Sequence, residues 1–293
     1  MKFIANISMC DPSFYVPLAQ AAEAAGFDTI AVPDSIAYPE TSSSTYPYNF
    51  DGTREFLENK PFIEPHLAMA AMSAVTSTIE FHTFVLKLPI RHPVIYAKEA
   101  TSLAVLTGNR FVLGVGSSPW PDDYEIVQLP WEGRGRRFDE CIEIVRGLAA
   151  GGYFEFHGEF YDFPAIKMEP VPSAPIPVLI GGHADANLRR AARLGDGWMG
   201  AGGMIDDLIP MIDRMNDLRR EYGREREPFA IYATAAESFS ADGIKRLEDL
   251  GVTHTAGGFG RFNPYGLETD PETLQEKIDN LDRYADEVIA AVR

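Results

Sequence analysis

Apolar runs of strand length alternate along this chain with stretches in which apolar residues recur every three or four positions. The pattern is densest at residues 81–117. An apolar run at 81–88 and another at 110–116 flank residues 93–106, which read as a helix. Two strands joined by a crossover helix lie parallel. Runs apolar on both faces suit strands covered on both sides, as in α/β proteins. The spacing predicts further strands at 2–9, 28–33, 178–180, 196–201, 229–234 and 252–256. It predicts helices at 13–25, 65–75, 136–149, 185–194, 206–222, 240–250 and 271–292. Eight strands, each followed by a helix, are what a (β/α)8 barrel of the α/β class needs. A doubly wound sheet would carry a glycine-rich first βα turn, and the turn SMCDPSF has no glycine.

Two stretches break the rhythm, and the whole chain, 1–293, reads as one barrel domain that carries them as insertions. Residues 36–62, after the second strand, hold Tyr38, Tyr46, Tyr48 and Phe50 among Pro, Ser, Thr and Asn. A connection this long in a compact domain is a functional lid or a disordered excursion. The aromatics suit a lid over a substrate, or one packing on its own barrel or a second subunit. Residues 151–175, after the fourth helix, alternate around His157-Gly158 and predict a hairpin insertion.

Composition narrows the functional classes. Net charge is −17, which argues against nucleic acid and anionic membrane partners. It leaves room for an anionic small molecule, because a few placed backbone N–H groups outweigh the global field locally. No apolar run is long enough to span a membrane, and the N-terminus runs straight into a strand pattern without a signal peptide. The two cysteines, Cys10 and Cys141, make no disulfide framework and read as core residues of a cytoplasmic protein. The apolar helix at 65–75 would suit a homodimer.

In parallel α/β folds, chemistry gathers at the carboxyl ends of strands. There the sequence offers Asp34-Ser35, Thr83-Phe84-Val85, Gly114-Val115-Gly116-Ser117-Ser118 and Gly181-Gly182-His183. Glycines let backbone approach a ligand, and the helix after Gly182 presents unpaired N–H groups, so this segment suits a phosphate cradle or simply a tight turn. Gly257-Gly258 is a competing site of the same kind. Gly116 to Ser118 could admit a flat ring or merely turn the chain. Asp34 could act at the rim or cap a turn. Asp122, Asp123 and Glu125 read as a solvated acidic loop. The six histidines are scattered and read singly as satisfied structural residues, and no metal-ligand spacing is present.

Taken in order, Gly26-Phe27-Asp28, Asp34, the 83–89 strand end, Asn109 to Gly116 and the Ile180-Gly181-Gly182…Arg190 to Trp198 segment make the chain resemble the bacterial luciferase-like superfamily. The resemblance runs to about Gly203, with a weaker tail. It implies a TIM-like barrel that binds a reduced flavin or the deazaflavin coenzyme F420. In the F420 branch a non-proline cis peptide at the end of strand three backs the ring; the matching bond is Phe84–Val85. Ring contacts map onto Asp34, Thr83, Phe84, Val85 and Gly116, Ser117 and Ser118. Phosphate contacts map onto Gly181, Gly182 and His183.

One departure matters. Many members carry Asp-His after strand two, the histidine serving as base in the sugar-phosphate dehydrogenases of the family; here the pair is Asp34-Ser35. The glutamate those enzymes place after strand four has Pro119 as its nearest counterpart. Ser35 is no base unaided. The resulting expectation is an enzyme: an F420-dependent oxidoreductase moving a hydride to or from a small organic substrate. Asp34 and Ser35 would bond the ring edge or the substrate, under a cover of Tyr38, Tyr46, Tyr48 and Phe50. The alternatives are an FMNH2-dependent monooxygenase, a non-catalytic flavin-binding barrel and, more distantly, a lyase.

Overall fold

The computed structural model describes residues 1–42, 44–46, 52–200, 202–257 and 273–293. In chain order it runs β1 (Lys2–Asn6), α1 (Tyr15–Ala24), β2 (Thr29–Val32), α2 (Pro65–Ser73), β3 (Glu80–Thr83), β4 (Leu86–Lys87), α3 (Pro93–Leu106) and β5 (Phe111–Gly116). There follow α4 (Pro121–Ile126), α5 (Arg134–Ala149), the hairpin β6 (Tyr153–His157) and β7 (Asp162–Lys167), β8 (Val178–Gly181), α6 (Asp185–Leu194) and β9 (Gly197–Gly200). The chain closes with α7 (Ile205–Glu221), β10 (Ala230–Ala233), α8 (Ala241–Asp249), β11 (His254–Gly257) and α9 (Leu274–Tyr284). The strands pair in parallel in the order β3-β2-β1-β11-β10-β9-β8-β5, and β3 pairs with β5 to close an eight-stranded barrel. The expected fold class is therefore observed, as is the hairpin insertion.

Period-two alternation gives the barrel two cores. Phe3, Ile30, Phe81, Phe111, Leu113, Val178, Ile180, Trp198 and Ile231 point outward into the helical layer. Ile4, Ala31, Val112, Leu179, Met199 and Tyr232 fill the lumen. Both sets are buried, which is why the strands read as continuous apolar runs. His82 and His254 both pack their rings against Tyr232. The His254 ring stacks on Tyr232 at 3.8 Å and His82 meets it edge-on at 5.2 Å. Burial drives both imidazoles down to about 3, so they are neutral spacers. Neither is a fully satisfied histidine of the expected kind, since each leaves Nε2 without a partner.

The predicted strand at 81–88 is broken. Phe81 and His82 pair with Phe111 and Val112, but Leu86 and Lys87 pair with Val115 and Gly116. Four steps along one strand thus match three along the other: a β-bulge with one extra residue at Phe84–Val85. Leu86 joins the outer core, while Phe84 and Val85 both pack against the lumen. The acidic loop after Ser118 contains α4, and the last helix begins at Leu274 and runs through a π-helical turn, Ala285–Ile289, to Val292. No helix among the described residues is long and apolar enough to cross a membrane. Leu67 of α2 and Ile95 and Leu106 of α3 are exposed.

The entry into β3 is fixed by Glu23. Its carboxylate accepts from the backbone N–H groups of Ser77, Thr78 and Ile79, at 2.7–3.0 Å through Oε1, and from the Thr78 hydroxyl. Partial burial opposes the charge, but these four donors outweigh it and lower the carboxyl from 4.5 to about 2. A depressed folded-state value stabilises the fold above the unfolded value, and this contribution is lost as pH falls through the folded one. Wild-type stability should therefore drop between about pH 4.5 and 2. Glu23→Gln should be less stable at neutral pH and show a flatter acid limb in urea denaturation. An unchanged acid limb would contradict this assignment.

Candidate functional site

The carboxyl ends of the strands open into a cavity of about 570 Å³, continuous in its lining with a smaller one of about 330 Å³. The larger is walled by Asp34 and Ser35 after β2, Phe84, Val85 and Lys87 from the bulge, Gly116 to Ser118 after β5, and Gly181, Gly182 and His183 after β8. Residues far apart in sequence meet here because parallel strands point their ends to one face. Ser35, Leu57, Phe62 and Trp120 line both cavities.

The peptide bond Phe84–Val85 is cis. The Val85 side chain lies between two glycines: a Cβ on Gly116 would sit 2.9 Å from Val85 Cγ2, and one on Gly181 2.9 Å from Cγ1. Three strands thus bring backbone and one isopropyl group together as a smooth wall. Gly182, at φ +118°, turns the chain toward α6, and a Cβ there would strike Asn187 Nδ2 at 2.3 Å. Its N–H donates to the Met199 carbonyl at 3.3 Å and its own carbonyl accepts from Trp198 Nε1 at 2.9 Å. Both backbone groups of Gly182 are therefore engaged within the protein. His183 is half-buried, and that burial holds its imidazole below the ordinary 6.5, hence neutral at pH 7.

Other expected residues occupy roles of a different kind. Asp34 has both oxygens engaged: Oδ1 accepts from Arg91 Nη2 at 2.8 Å and Oδ2 from the Lys87 N–H at 3.0 Å. Its side chain is almost fully buried, so it fastens β2 to β4. Thr83 is buried beneath the wall and donates to the Gly114 carbonyl at 2.6 Å. The Ser118 hydroxyl donates to Asp123 and accepts from the Trp120 N–H. Tyr46 lies on the larger cavity, 5.6 Å from Trp120, and Tyr38 on the smaller. Tyr48, Phe50 and Gly258 lie outside the described residues.

The acidic loop is not simply solvated. Asp123 is 2% exposed and pairs with Lys87 Nζ at 2.8 Å. Asp122 pairs with Arg54 Nη1 at 2.9 Å and accepts from Ser42 and Ser44. Partial burial opposes the Asp122 charge, but those three donors overcome it and lower the carboxyl. The Trp120 ring lies 4.3 Å from the Arg54 guanidinium carbon and 4.8 Å from Lys87 Nζ. These residues escape sequence reasoning, with one exception: Lys87 is a lone charge inside a buried apolar run, and such a charge needs a partner. Arg134 on the cavity wall stacks on Trp131 at 3.6 Å. Asn6 Oδ1 and Trp120 Nε1, on residues of that wall, are buried without a partner. Among the described residues no group of His, Cys, Asp and Glu is placed to hold a metal.

The family model for luciferase-like monooxygenases matches residues 9–285. The chain belongs to this family. An uncharacterized protein of Mycobacterium tuberculosis is 56% identical over 292 residues, covering all of both chains. The solved F420-dependent tetrahydromethanopterin reductase of Methanopyrus kandleri superposes with a TM-score of 0.76 at 15% identity, over 100% of this chain and 99% of that one. Monooxygenase RslO1 of Streptomyces bottropensis superposes with a TM-score of 0.75 at 16% identity, over all of both chains. At such identities the two structures speak for the fold alone. The family is one of oxidoreductases and monooxygenases, and both kinds share this barrel.

The Val85 wall predicts a coupling that needs no ligand to observe. Gly116→Ala and Gly181→Ala should each cost about 1–3 kcal/mol in chemical denaturation by overpacking against Val85. Adding Val85→Ala should recover most of the loss in either background, which a clash elsewhere would not allow.

Proposed function

We propose that the cavity binds coenzyme F420 and that the protein transfers a hydride between this deazaflavin and a small organic substrate. The observation that carries the reading is the wall built by Val85 between Gly116 and Gly181. A flat ring needs such a face without protruding side chains. The orphaned Asn6 Oδ1 supplies an acceptor for a ring N–H. Gly116, Ser117, Gly181 and Gly182 would border the ring. His183 and the first turn of α6 would face the anionic tail, where helix N–H groups favour negative charge. Tyr46, Phe56 and Trp120 would cover the substrate, and their aromatic surfaces exclude water from it. When bound, the cofactor supplies or accepts the hydride; the chain contributes placement, desolvation and proton handling. Asp34, spent on Arg91 and Lys87, would act by holding the wall in place.

A second reading keeps the same cavity with FMN and oxygen, and the fold shared with RslO1 favours it to that extent. Equilibrium fluorescence titration separates the two. F420 should bind with micromolar or tighter affinity and FMN at least tenfold more weakly. Micromolar binding of FMN with no binding of F420 would transfer the protein to the monooxygenase reading.

A further inference from the structure

We propose that Lys87 is the proton donor and oxyanion partner of this site, positioned by Asp123, for substrates that carry a polarised carbonyl, imine or conjugated enone. The inference rests on the redox reading above and supplies the acid–base group that Ser35 cannot. The Lys87 side chain is 7% exposed, on the cavity wall, three residues beyond Phe84 and paired in register with Gly116. Its Nζ lies 2.9 Å from Asp123 Oδ1 and 2.8 Å from Oδ2. Asp123 does not line the cavity; it stands behind the lysine, 3% exposed in its side chain, and takes the Ser118 hydroxyl as well. The lysine is thus held from behind by a carboxylate and from one side by the Trp120 ring at 4.8 Å. An ammonium has three donors, and the two Asp123 oxygens take at most two of them.

Stability does not account for this arrangement. A buried ion pair is commonly matched or bettered by apolar residues of the same volume. The bulge at Phe84–Val85 is what turns Lys87 inward: without the extra residue, Leu86 would face the lumen and Lys87 the helices. Three other polar groups of the wall cannot serve. Both Asp34 oxygens are engaged, the Ser35 hydroxyl is too weak an acid, and Arg134 does not release a proton. His183 lies after β8, beside Trp198.

The step balances as follows. The substrate's electrophilic carbon gains a hydride from the reduced deazaflavin, which is thereby oxidised. The π-electron pair moves onto the substrate's oxygen or nitrogen. That atom takes a proton from Lys87 Nζ, forming an O–H or N–H bond as an N–H bond breaks. Neutral Lys87, still bonded to Asp123, regains a proton from water at the mouth. Run in reverse, the same lysine accepts the proton of an alcohol or amine.

The test uses 4-nitrophenol, whose absorbance reports its ionisation, as an oxyanion probe titrated into the full chain. Wild type should lower the probe's apparent pKa by about one unit or more, as a nearby cation does. Lys87→Met/Asp123→Asn, which leaves no buried charge unpaired, should keep the wild-type circular dichroism spectrum and abolish the shift. Asp123→Asn alone should weaken the shift without removing it. A shift that persists without Lys87, or is absent from wild type, overturns the proposal. A Lys87-dependent shift in a protein that fails to bind F420 would keep the oxyanion site and sink the redox reading instead.

Discussion

One extra residue in the third barrel strand governs the site. A closed parallel barrel leaves each strand a fixed alternation of lumen-facing and helix-facing side chains. The bulge at Phe84–Val85 resets that alternation locally. It turns two consecutive side chains toward the lumen, sends Leu86 into the outer core and brings Lys87 onto the cavity wall. Everything else at the mouth accommodates it. Gly116 and Gly181 leave room for Val85, Gly114 for the Thr83 carbonyl, and Asp34 caps the displaced Lys87 N–H. The glycines at the strand ends are therefore packing requirements of the bulge before they are ligand contacts.

Barrel architecture was legible in the sequence because it rests on long-period features: eight apolar runs, each followed by a helical repeat. The bulge was not legible as such. Strands buried on both faces carry no polar alternation, so a one-residue register change leaves no mark in the hydropathy pattern. Only the resemblance singled out Phe84–Val85. The run FHTFVLKL nonetheless contains one discordant letter, Lys87, and that residue marks the strand whose parity is reset.

The candidate site was legible by position and less so by role. Asp34, Ser35, Phe84, Val85, Gly116 to Ser118 and Gly181 to His183 do converge on one cavity. Strand-end logic finds such residues because parallel topology dictates it. What each side chain does depends on partners from loops, and loops have no period. Asp34 meets Arg91, 57 residues on, and Asp122 meets Arg54, 68 residues back. For the same reason Asp122, Asp123 and Glu125 look alike in the sequence while only Glu125 is exposed.

These pairings also bear on how an acidic chain would accommodate the anionic groups proposed above. With a net charge of −17, the mean field opposes a phosphate or a developing oxyanion. At the mouth, however, three carboxylates are each matched to their own cation: Asp34 to Arg91, Asp122 to Arg54 and Asp123 to Lys87. Charges paired at 2.8–2.9 Å present little net field at cavity distances. Surface carboxylates farther off are screened beyond about 8 Å at physiological ionic strength. What remains at short range is positive: Lys87 on the wall with its carboxylate behind it, Arg134 at the rim and the N-terminal end of α6. The sign of the site is thus set by which partner faces the cavity, and the bulge decides that for Lys87.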